Sequence, residues 1–119
     1  MIGRLRSGTL FVFGTETSPD FPKLVRRAAD AARMGVNLTQ GTFSPSDQTS
    51  FVARGVPVLF FFTGNHGDYH TPDDDAAKGN APGEASVLEV VYHVVRQLLE
   101  ADERPALIAY LQVLGTTVK

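Results

Sequence analysis

Hydrophobic residues recur along this chain with several different periods, and each period predicts an element. Thr9-Leu10-Phe11-Val12-Phe13, rich in β-branched and aromatic side chains, reads as a strand. Met1-Ile2-Gly3-Arg4-Leu5 reads as its hairpin partner, joined to it by Arg6-Ser7-Gly8, where the glycine is available for a positive φ. A chain that opens inside a strand carries the expectation that neighbouring sequence lies upstream. Phe21, Leu24, Val25, Ala28 and Ala32 then fall on one helical stripe. Ser18 is placed to cap that helix, Pro19 suits its first position, and Gly35 is placed to end it.

Val36 to Thr42 reads as a short strand, and Phe43-Ser44-Pro45-Ser46-Asp47 as a turn. A brief helix runs from Gln48 to Arg54 and is closed by Gly55, with Ser46 or Asp47 as its cap. Val56-Pro57-Val58-Leu59-Phe60-Phe61-Phe62 is apolar throughout, the pattern of a strand covered on both faces in a largely parallel sheet. After a loop from Thr63 to Pro82, Glu84 to Ala101 forms the best helix. Its apolar positions are Val87, Leu88, Val91, Val94, Val95 and Leu98, with His93 on the polar face toward solvent. A last short helix is expected from Pro105 to Leu114.

This order predicts a layered α/β fold: a sheet of about four strands, an N-terminal hairpin plus largely parallel strands, flanked by helices. With 119 residues, 43% of them hydrophobic, the chain suits one domain spanning 1–119. Eleven basic against thirteen acidic side chains give a net charge of −2, so neither nucleic acid nor an anionic membrane is an expected partner. Absence of cysteine excludes disulfides, thiolate metal sites and thiol nucleophiles, so any metal must be held by His, Asp or Glu. The apolar runs are far shorter than the roughly 20 residues that span a bilayer, and the N-terminal residues lack the apolar core of a signal peptide. Arg26, Arg27 and Arg33 read as a solvated face near a helix C-terminus.

Chemistry concentrates in Asp68-Tyr69-His70-Thr71-Pro72-Asp73-Asp74, where ligands gather in open α/β sheets. Three readings fit the residues. His70 ligates a metal while a carboxylate such as Asp74 orients its other ring nitrogen. Alternatively His70 is a general base paired with an aspartate, although no G-x-S-x-G serine is present to be activated. In the third, Asp73, Asp74 and Asp75 solvate the loop and cap the segment after it. His66 lies four residues before His70, but Gly64, Gly67 and Pro72 argue against a helix that would pair the two imidazoles.

Ser46-Asp47-Gln48-Thr49-Ser50-Phe51, Gly55-Val56-Pro57-Val58-Leu59-Phe60-Phe61-Phe62-Thr63-Gly64, His66, Asp68-Tyr69-His70, Pro72, Asp74, Lys78 and Asn80 closely resemble the C-terminal half of the M28 family of zinc aminopeptidases. Met1-Ile2-Gly3-Arg4-Leu5 is similar to the segment that follows a metal-bridging aspartate in an Asn-x-Asp-Met-Ile-Gly-Arg run. The resemblance implies a partial zinc-aminopeptidase fold of the phosphorylase/hydrolase-like kind, the C-terminal part of a metallopeptidase catalytic domain. In that family two zinc ions are held by two histidines, two aspartates and a glutamate, beside a general-base glutamate, and the substrates are peptide N-termini. By resemblance, His70 is the last histidine ligand and Tyr69 an oxyanion donor. Asp74 structures the loop behind the metal, and Ser46 and Asp47 shape the pocket.

The chain also departs from the family. Gln48 stands where histidine is common, Asp75 where threonine is, Ala77 in place of a frequent aspartate, and Gly79 in place of an apolar residue. The first histidine-aspartate pair, the glutamates and the bridging aspartate have no counterpart, so this chain alone is expected to hold no zinc stably and to be inactive. Two other readings remain open. One is a non-catalytic α/β domain acting through self-association at an exposed sheet edge or through partner binding. The other is a glutaminyl-cyclase-like relative, against which Tyr69 and the preceding Phe-Thr-Gly run argue. Compartment is left open, although many family members are exported.

Overall fold

A computed structural model describes residues 1–41 and 46–100. The helix expected from Pro105 to Leu114 and most of the turn around Phe43 lie outside the described residues. Strand β1 (Thr9–Phe13) sits at the centre of a three-stranded sheet of order β2-β1-β3. Strand β2 (Gly35–Thr39) pairs with it in parallel, Leu10 opposite Val36 and Val12 opposite Leu38. Strand β3 (Phe60–Phe62) pairs antiparallel on the other side, Phe11 opposite Phe62 and Phe13 opposite Phe60.

The layered α/β reading holds, with differences in the sheet. Met1–Leu5 is not a hairpin strand; three strands, rather than about four, make the sheet of the described residues. The apolar run 56–62 yields only a three-residue strand, half-buried, and it lies at an edge instead of between parallel neighbours. The reason is connectivity. Helix α1 (Phe21–Ala31) supplies the crossover that makes β1 and β2 parallel. Between β2 and β3 the described residues form only the five-residue helix α2 (Gln48–Val52), and a strand that starts near the end where its predecessor stopped runs back antiparallel.

Alternation along β1 decides where the core lies. Leu10 and Val12 are fully buried and meet Val25 and Ala28 of α1 and Val87, Val90 and Val94 of helix α3 (Ala81–Glu100). Both long helices therefore cover one face of the sheet. The opposite face presents Phe11, Phe13, Phe60 and Phe62, all half-buried, with the Phe13 and Phe60 ring centroids 6.0 Å apart. Behind β1, Gly14 adopts φ 82, and a Cβ there would lie 2.5 Å from the Val58 carbonyl oxygen. Thr17 secures the same crossing: its Oγ1 donates to the carbonyl oxygen of Gly14 and accepts from the Val58 N–H at 2.9 Å.

Helix boundaries shift for local reasons. Asp20 rather than Ser18 precedes the first turn of α1, so Pro22 takes the early position assigned to Pro19. Arg33, with φ 54, makes the left-handed exit expected of Gly35, which instead opens β2. Helix α3 starts before Glu84 because Asn80 Oδ1 accepts from the Gly83 N–H at 2.9 Å, satisfying an otherwise free donor of the first turn. Its buried face is Val87, Val90 and Val94, while Leu88 and Val95 from the expected stripe are exposed, with Tyr92 and Leu99 beside them. His93 is half-buried, its Nε2 3.9 Å from Glu89 Oε1, rather than free in solvent. Among the described residues no helix is long and apolar enough to cross a membrane.

Candidate functional site

The segment from His66 to Lys78 leaves β3 as a chain of tight turns. The Tyr69 N–H donates to the His66 carbonyl at 3.0 Å, and both the N–H and Oγ1 of Thr71 donate to the Asp68 carbonyl, at 3.0 and 2.7 Å. The Asp74 N–H donates to the Thr71 carbonyl at 3.2 Å. Asp75 Oδ1 accepts from the Ala77 N–H at 3.1 Å and caps the 3-10 turn Ala76–Lys78. These bonds are local, and local turns alone do not fix where a loop sits on a fold.

The N-terminal residues supply the anchorage. The Met1 carbonyl accepts from the Thr63 N–H at 3.3 Å, the Gly3 carbonyl from the Asn80 N–H at 2.8 Å, and the Leu5 carbonyl from Asn80 Nδ2 at 2.7 Å. Between these backbone ties Arg4, only 7% exposed, reaches into the loop. Its Nη2 donates to Asp68 Oδ2 at 2.8 Å and its Nη1 to Asp74 Oδ1 at 2.7 Å. Lys78 Nζ lies 3.1 Å from the second oxygen of Asp68. Hydrogen bonds from Arg4 first, and Lys78 second, hold the Asp68 carboxyl below its ordinary value. The residues expected to form a hairpin strand thus act as a brace.

His70 is exposed and falls, along the chain, between Asp68 and Asp74, the two carboxylates that Arg4 holds. Its φ is 57, a left-handed conformation that costs a non-glycine residue roughly 1–2 kcal/mol and persists only where the surroundings enforce it. The Tyr69 ring packs edge-on against it, centroids 4.1 Å apart, and also meets Phe62 at 6.4 Å and His66 at 5.9 Å. Asp74, assigned behind His70, is bound to Arg4, and the histidine it faces is His66: Oδ2 is 3.7 Å from His66 Nε2. That imidazole is 1% exposed, and neither ring nitrogen has a hydrogen-bond partner.

Ser46 and Asp47 lie elsewhere, exposed in the turn that starts α2, their carbonyls accepting from Thr49 and Ser50. Beyond them an open groove of mixed polarity is lined by Gln48, Phe51 and residues 56–59. Among the described residues no three His, Asp or Glu side chains converge as a metal ion requires, so these residues by themselves do not fit a zinc site. His70 presents a single nitrogen donor group, and both nearby carboxylates are engaged by Arg4.

The sequence model of Peptidase family M28 matches residues 1–95. The chain belongs to peptidase family M28. No curated protein and no solved structure matches it. The match supports a peptidase-type domain in this M28 chain, from a family that is generally zinc-dependent. The matched span includes both halves of the brace, Arg4 at its start and the His66–Lys78 loop, together with the α3 core residues behind them.

The sequence of this M28 chain places His70, Tyr69 and Asp74 in one loop but does not single out Arg4, and it argues against His66 as a helical metal partner of His70. The signal for Arg4 was a lone cation between Gly3 and Leu5 in an otherwise apolar segment. Such a position buries the charge, and a buried charge needs partners.

Proposed function

We propose that this chain is the C-terminal portion of a di-zinc aminopeptidase catalytic domain, with His70 contributing one zinc ligand and the remaining ligands coming from sequence outside residues 1–119. The observation that carries the reading is the family match over residues 1–95, which includes the whole Asp68–Asp74 loop. In a complete domain of this kind, bound zinc would supply Lewis-acid chemistry for peptide hydrolysis, with His70 as the one residue of this chain that would help to hold it. The chain's own residues have narrower roles. His70 presents its imidazole to solvent at the end of β3, where a ligand is reachable. Tyr69 is exposed, with its ring edge-on to Phe62, His66 and His70, and its phenol O–H is the group that would serve as oxyanion donor. Asp74 structures the loop through Arg4, and Ser46 and Asp47 lead into the helix beside the open groove.

The test compares the 119-residue chain with the product of the full reading frame, measuring zinc content and hydrolysis of aminoacyl nitroanilides. We expect zinc and turnover only in the longer protein, and loss of both on His70→Ala. A stop codon immediately upstream of Met1, or full zinc content in the His70→Ala protein, would overturn the reading. Self-association is a second reading, supported by β2 and β3 each being paired on one side only among the described residues. Light scattering that returns a monomer at high concentration removes it.

A further inference from the structure

We propose that Arg4 is the positioning residue of the His70 loop, its guanidinium clamping Asp68 and Asp74 so that the intervening histidine is held in its left-handed conformation. The inference rests on reading His70 as the functional residue of the loop, but its geometry stands independently of any metal.

The two carboxylates flank His70 in sequence, and each receives a different nitrogen of the same guanidinium, at 2.8 and 2.7 Å. A planar fork with fixed nitrogens sets the separation of its two partners, which a flexible ammonium does not. Arg4 is itself immobilised, being 7% exposed, with the backbone on either side tied to Asn80 through the carbonyls of Gly3 and Leu5. The brace therefore ends on the cap of α3, the helix that contributes Val87, Val90 and Val94 to the core.

Between the clamped carboxylates, the turn bonds of Thr71 and Asp74 shorten the loop and leave His70 to absorb the reversal at φ 57. Cutting the clamp frees one or both carboxylates to return to water. The loop then widens, and His70 relaxes toward the right-handed or extended regions favoured by L-residues. The imidazole leaves its edge-on contact with Tyr69 as it does so. Lys78, which meets only Asp68, cannot hold both ends.

NMR of the 119-residue chain tests this without zinc. A left-handed residue shows a strong intraresidue amide-to-Hα cross-peak, because the two protons are close. In Arg4→Met the His70 cross-peak is expected to weaken roughly threefold on leaving the left-handed region. Amide shift changes should concentrate between His66 and Lys78, leaving Leu10, Val12 and Val90 in place. Arg4→Lys, holding one carboxylate at a time, should give an intermediate cross-peak, and Asp68→Asn should reproduce part of the loss. If Arg4→Met does not fold, the latter two variants carry the same readout. A folded variant in which stability falls while the His70 cross-peak keeps its full strength would overturn the proposal and leave Arg4 a merely structural residue. Failure of His70→Ala to affect zinc in the complete protein would instead remove the ligand assignment and leave the clamp standing.

Discussion

Arg4 and Asp74 are seventy residues apart in sequence and joined by a 2.7 Å bond between Nη1 and Oδ1. Removing one partner of a buried ion pair costs about 3–5 kcal/mol, less where water reaches the partner left behind. Asp68 and Asp74 are 27% and 24% exposed, so Arg4→Met is expected to lower unfolding stability by about 2 kcal/mol. Urea denaturation of the chain and the variant checks this.

Leu10 is fully buried where β1 meets both long helices, whereas Leu88 lies 52% exposed on the outer side of α3. Leu10→Ala should cost about 2–5 kcal/mol through lost transfer free energy and the cavity left behind. Leu88→Ala should stay within about 0.5 kcal/mol of the parent. Thermal unfolding of the two variants side by side measures the contrast.

Two glycines are required for different reasons. At Gly14 a Cβ would meet the Val58 carbonyl oxygen at 2.5 Å in a backbone already at φ 82, so Gly14→Ala should cost at least about 2 kcal/mol. At Gly83 the obstacle is the capping side chain, with Asn80 Nδ2 2.5 Å from a built Cβ. Gly83→Ala should therefore displace Asn80 and cost about 1 kcal/mol, the value of a helix cap. Loss of hydrogen-exchange protection at the first turn of α3 in Gly83→Ala alone would mark the difference.

Arg33 and His70 both hold φ angles in the left-handed region, at 54 and 57. Arg33→Gly relieves the first and should raise stability by up to about 1 kcal/mol. The rise appears as a higher unfolding midpoint. An unchanged or lower midpoint would show that the left-handed exit of α1 carries no strain.

Asp68 sets a pH dependence. Its folded-state pKa lies below the ordinary 3.8 because Arg4, and then Lys78, hydrogen-bond to its charged form. Its stabilising contribution is therefore complete above the unfolded value and is lost as the pH falls through the lowered one. Unfolding midpoints taken between about pH 6 and pH 2 should drop at the acid end, and Asp68→Asn should flatten that drop.

Local pattern was enough to place α1, β1, β2, α2 and α3, because Leu24, Val25 and Ala28, or Val87 and Val94, repeat at the spacing of one helical face. It also put Tyr69, His70 and Asp74 in one loop, since adjacency in sequence is adjacency in a turn. The strand run 56–62 misled, because an all-apolar stretch fits either a central strand or an edge strand leaning on the aromatic side chains of β1. Val90 was absent from the expected stripe, yet it is fully buried, because the helix's rotation is set by what it packs against.

The sequence by itself determined α1, β1, β2, α2 and α3, the α/β composition and the membership in peptidase family M28, all of which rest on residue types at short spacings. The tertiary structure alone decided that Met1–Leu5 is a brace rather than a hairpin, that Asp74 belongs to Arg4 and faces His66, and that His70 takes a left-handed backbone in the loop whose Asp68 and Asp74 bind Arg4. The brace joins residues about seventy positions apart, and a partner at that range is chosen by how the chain folds back, which no local periodicity encodes.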